Sequence, residues 1–72
     1  MKKYPVESSV MTSAGYDAET RILEVQFKNG GAVRQYYDVS QALFDDFMAA
    51  ESAGDFFNLH INGKYPEKRV DR

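Results

Sequence analysis

The chain has 72 residues, 28% of them charged and 43% hydrophobic, with nine Lys and Arg against eleven Asp and Glu. That length allows one domain, which buries only roughly 60% of the surface its unfolded chain exposes, and the composition belongs to a folded protein rather than a disordered one. The absence of cysteine excludes a disulfide scaffold, thiolate zinc sites and thiol nucleophiles, and fits a reducing cytoplasm.

The longest apolar run, Phe47-Met48-Ala49-Ala50, is far below the roughly 20 residues of a membrane span. Lys2-Lys3 is followed by Tyr4-Pro5-Val6-Glu7-Ser8, which supplies no apolar signal region. A single cytoplasmic domain over 1–72 is expected, with a tail from about residue 64 that is extended and partly loose.

In chain order, Ser9 to Tyr16 reads as a short strand and Asp17-Ala18-Glu19-Thr20 as the turn after it. Arg21 to Lys28 alternates, with Leu23, Val25 and Phe27 on one face and Glu24, Gln26 and Lys28 on the other, the period of a half-buried strand. Asn29-Gly30-Gly31 supplies residues that tolerate positive φ in a tight reversal. Ala32 to Val39 returns as a strand. The spacing predicts Val33, Tyr37 and Val39 facing the core, with Arg34, Tyr36 and Asp38 facing out.

After Val39 the period becomes helical. Ser40 is placed to cap the first turn, and Val39 and Phe44 are spaced for a hydrophobic staple. Leu43, Phe44, Phe47, Met48 and Ala50 form the apolar stripe, opposite Asp45, Asp46 and Glu51. Gly54 is expected to end this helix and Asp55 to cap a second, from Phe56 to Ile61, closed by Asn62-Gly63. The predicted fold is α+β: a three-stranded antiparallel meander followed by two helices packed on one face, in the order β-β-β-α-α.

No catalytic constellation emerges, and neither an enzyme, a metal site nor a cofactor is expected. His60 is the sole histidine, which leaves no pair for zinc and no spare base for a triad. Asp45 and Asp46 are adjacent, so on a helix they diverge by about 100° and form no dyad. Charge is segregated instead. Five acidic residues fall from Asp38 to Asp55 without a Lys or Arg, while Lys64, Lys68, Arg69 and Arg72 follow against Glu67 and Asp71. Five tyrosines and five phenylalanines also exceed what so small a core requires. An outer sheet face carrying Tyr36 beside Arg34, with Lys28 across the hairpin, would stack bases and contact phosphates. The bland counterpart is a solvated charged surface with Tyr36 covered by the C-terminal segment.

Taken together, several spaced residues resemble the KTSC domain family, short bacterial and phage domains also found at the C-terminus of some lysyl-tRNA synthetases. The matching elements are Ser8-Ser9 with Gly15-Tyr16, Leu23-x-Val25-x-Phe27 before Asn29-Gly30, and Tyr36 with Val39. Ala50-x-Ser52-x-Gly54, Phe56-Phe57-Asn58, Ile61 and Tyr65 complete the set. The family's central Tyr-x-Tyr falls on Arg34 and Tyr36, so its first tyrosine is Arg34 here, and Ser40 stands where a proline is usual. The resemblance implies a small α+β domain with no established activity and an RNA-binding role suggested by the synthetase fusion. Tyr16, Arg34, Tyr36, Lys64, Tyr65 and Arg69 are then the expected nucleic-acid contacts, weak and salt-sensitive. The competing expectation is a protein-interaction module that presents a sheet edge or the acidic helix.

Overall fold

A computed structural model describes residues 2–70. Five strands form one antiparallel sheet in sequential order: β1 (Lys3–Pro5), β2 (Met11–Asp17), β3 (Ile22–Phe27), β4 (Val33–Tyr36) and β5 (Glu67–Arg69). Between β4 and β5 the chain forms α1 (Gln41–Ala49) and α2 (Ala53–His60). The α+β class and the paired helices are as expected, but the sheet has five strands rather than three. The two extra strands are three residues each and every residue in them is on the exposed side, so they carry no hydrophobic alternation. Each exists because a neighbour supplies hydrogen-bonding partners. The segment expected to be loose is tied down on both sides of β5, where Tyr37 N–H donates to the Pro66 carbonyl and Val70 N–H to that of Val33.

The hairpin turns where Asn29-Gly30-Gly31 was expected to turn it, with Gly30 at φ 73° and Gly31 at φ 68°. The register of its second strand differs from expectation. Tyr36 pairs with Leu23 and Arg34 with Val25, so Tyr36 lies on the core face and is 1% exposed, whereas Tyr37 is only half-buried. The predicted phase assumed an unbroken period of two from Val33 to Val39. Instead β4 stops at Tyr36, and Asp38 adopts a left-handed φ of 63°. That break restarts the alternation, so Tyr36 and Val39 both point inward.

Ser40 caps α1 as predicted, its hydroxyl accepting from Leu43 N–H at 3.1 Å. The second cap is different. Ser52 holds it, accepting from Asp55 N–H at 3.2 Å, and Gly54 lies inside α2 rather than ending α1. A Cβ at Gly54 would meet Val10 at 3.1 Å and Ser8 at 3.3 Å, so the glycine permits the segment before β2 to close against α2.

The core combines Leu23, Val25, Tyr36 and Val39 with Phe44, Phe47, Phe57 and Ile61, joined by Met11, Ala14 and Ala53. Phe27, Leu43 and Phe56, expected within it, are partly buried and pack against it.

The opposite face of the sheet carries a polar ladder. Lys3, Gly15, Glu24, Gln35 and Lys68 are successive partners across all five strands. Glu24 forms an ion pair with Lys3 and accepts from the Gln35 amide at 2.9 Å. Burial pushes the Glu24 carboxyl up, but the Lys3 and Gln35 hydrogen bonds and the Lys3 charge outweigh it and hold it below its ordinary 4.5. A depressed folded value stabilises the fold above the unfolded value, and that gain is lost as pH falls through the folded one. Glu24→Gln should therefore lose about 0.5–1 kcal/mol relative to wild type near neutral pH, with the gap closing in acid as pH falls below the ordinary 4.5. Denaturant midpoints at neutral and acid pH check this; a gap that does not narrow counts against it.

A cleft between the hairpin, the second helix and the last strand

The hairpin, α2 and β5 meet around a cleft of about 420 Å³. Its floor is aromatic. Phe57 meets Tyr36 edge-on at 5.3 Å and Phe27 at 5.6 Å, so three rings from β3, β4 and α2 lock one another in place. Val10 and Ala32 complete the apolar wall. Val10 remains 45% exposed although it is aliphatic.

The polar side is built by β4 and β5. Arg34 Nη1 donates to Glu67 Oε2 at 2.9 Å, with both side chains partly open to solvent. Tyr36 lies directly opposite Glu67 in the sheet. Burial, then the negative charge of Glu67, push the Tyr36 phenol up to about 12, against the opposing effect of Arg34. The phenol thus stays neutral and is no general base. Asn29, Asn58 and Asn62 contribute the remaining rim, from the hairpin, α2 and the turn after α2.

Of the residues predicted to contact a ligand, only Arg34 and Tyr36 line this cleft. Tyr36 does so from the core, so the expectation of an outward-facing stacking platform is corrected. Tyr16 is elsewhere: its ring stacks on Phe44 at 5.0 Å and its hydroxyl donates to the Val39 carbonyl, which joins β2 to the start of α1. Tyr65 packs partly buried against the core. Lys64 is exposed in the segment after α2, and Arg69 is exposed opposite Arg34 on β5. Arg72 lies outside the described residues. Asn58 and Glu67 were missed, and Asn29 and Asn62 were read only as turn residues because each precedes a glycine. Among the described residues no group of three His, Cys, Asp or Glu side chains could hold a metal ion. His60 packs its ring on Phe56 at 4.6 Å, away from the cleft lining.

An antiparallel sheet backed on one face by two helices, with a cleft at the hairpin end, defines a small α+β domain. The chain belongs to the KTSC domain family, which matches it over residues 7–65. It is 52% identical over 61 residues to a protein of Tsukamurella paurometabola, covering 85% of this chain and 90% of that one. A 34% identical stretch of 59 residues lies in a lysine–tRNA ligase of Nostoc punctiforme, covering 82% of this chain and 10% of the ligase. The fold is similar to the crystal structure of a KTSC domain protein from Yersinia pestis, with a TM-score of 0.93 at 38% identity over 97% of each chain. Among the described residues no helix is long and apolar enough to cross a membrane.

Proposed function

We propose that this domain is a non-catalytic accessory module that binds single-stranded RNA at the hairpin–β5 end of the molecule. The observation that carries the reading is the charge arrangement around the cleft. Arg34 and Arg69 are cross-strand partners, and along the chain Lys28 precedes the rim residue Asn29 while Lys64 follows Asn62 by two residues. The acidic side chains Asp45 and Asp46 are on α1, and the hairpin and β5 contribute one carboxylate to the cleft, Glu67. A net charge of −2 therefore does not describe the surface a phosphate backbone would meet. A ligase that carries a related segment adds support by analogy. The competing protein-interaction reading rests on α1, because strand addition is disfavoured by three-residue edges bearing Pro5, Lys68 and Arg69.

Few cations imply weak binding with a modest salt slope, about −2 if three phosphates are neutralised on a single strand. Lys64→Ala should reduce that slope by about 0.7 and weaken all sequences alike. Titrating the protein with single-stranded RNA at about 50 mM salt, following backbone amide shifts, tests the reading. Shifts around Lys28, Arg34, Lys64 and Arg69 are expected. If none moves at millimolar RNA, the reading fails and a protein partner for α1 replaces it.

A further inference from the structure

We infer that the cleft is a pocket for one nucleobase, read at its edge by Asn29, Asn58 and Asn62. The inference rests on the RNA reading for its biological source but stands on separate geometry. At about 420 Å³ the cleft falls within the size range of small-ligand sites, roughly 300–1,000 Å³. Phe27, Phe57 and the open side of Val10 offer a ring an apolar floor. Three asparagines from separate elements line it, and none of their side chains hydrogen-bonds another group among the described residues. Each presents an acceptor beside donors in one plane, the complement of the neighbouring donor and acceptor positions on a base edge.

Electrostatics decide between a neutral ring and an anion. Glu67 pairs with Arg34 and lies opposite Tyr36 in the sheet, so the inner end of the cleft has a compensated charge and a neutral phenol. A phosphate or carboxylate placed there would have to displace Glu67, whereas a neutral heteroaromatic ring would not. Lys28, next to Asn29, and Lys64, two residues after Asn62, form no ion pair among the described residues and suit the phosphates flanking a base held inside. A peptide would satisfy the carboxamides but leave those two cations without anionic partners.

The test titrates isotopically labelled protein with nucleoside monophosphates in one arm and single-stranded RNA hexamers of differing base in the other. Side-chain amide resonances of the asparagines are followed alongside the backbone. The expected result is that both ligands move the three carboxamides. Asn58→Leu, on an exposed helix position, should keep the dispersed spectrum, weaken RNA about tenfold and flatten its preference among bases. RNA shifts confined to Lys28, Lys64 and Arg69, with no movement of the carboxamides by either ligand, would overturn the pocket while the RNA reading stands. Carboxamide shifts with monophosphates but no RNA binding would sustain the pocket and remove the RNA reading. Silence in both arms overturns both.

Discussion

Phe47→Ala is expected to remove a large share of the protein's stability and to lower its melting temperature far below that of wild type. Phe47 is 0% exposed on the inner face of α1, and its ring lies 6.1 Å from that of Phe56. Truncating a buried phenylalanine removes its transfer free energy and leaves a cavity, about 3–5 kcal/mol together. Domains generally hold about 0.05–0.15 kcal/mol per residue, so the loss takes a large share of the roughly 4–11 kcal/mol a chain of this length has. Phe47→Leu keeps most of the volume and should cost under about 1.5 kcal/mol. Circular dichroism melts of the two variants check both statements. A cooperative transition for Phe47→Ala within a few degrees of wild type would show that α1 does not anchor the core.

Tyr36 supplies the second large effect, at the opposite end of the pH scale from Glu24. Below 10.0, the ordinary phenol value, folded and unfolded chains both hold the proton. Between 10 and about 12 the unfolded chain releases it while the folded chain keeps it, so the unfolded state binds fewer protons and stability falls as pH rises. A shift of this size corresponds to about 2–3 kcal/mol lost across that window. Tyr36→Phe keeps the ring against Phe57 and removes the titrating group. The stability difference between wild type and Tyr36→Phe should therefore drift by about 2–3 kcal/mol between about pH 9 and pH 12. Using the difference cancels the other tyrosines. A difference independent of pH would mean that the Glu67 and burial effects are absent. Tyr36→Ala is a different experiment: it should cost about 3–5 kcal/mol, so any loss of RNA binding in that variant reports an unfolded core.

The same residue shows how far sequence reasoning reached. The strand Leu23-x-Val25-x-Phe27, the Asn29-Gly30-Gly31 reversal and the capped helix after Ser40 were all legible, because each is local. A two-residue alternation, two glycines able to take positive φ, and a hydroxyl three residues before an orphan N–H declare themselves within one short window. Most of the aromatic core followed from those periods. The KTSC resemblance was legible as well, since it depends on order and spacing alone.

What required the folded chain was everything set by partners distant in sequence. β1 and β5 are strands only because β2 and β4 offer them hydrogen bonds, and their own residues, Lys-Tyr-Pro and Glu-Lys-Arg, have no pattern to read. Tyr36 faces in because β4 pairs with β3 in the register that sets it opposite Leu23, and the left-handed Asp38 then turns Val39 inward as well, which no periodicity reports. Glu67 became the partner of Arg34 and Tyr36 across 33 and 31 residues of chain because β5 returns beside β4. The cleft exists on the same terms: its asparagines come from a hairpin, a helix and a turn. Local free energies shaped those elements one by one, and burial of the shared aromatic floor brought them together.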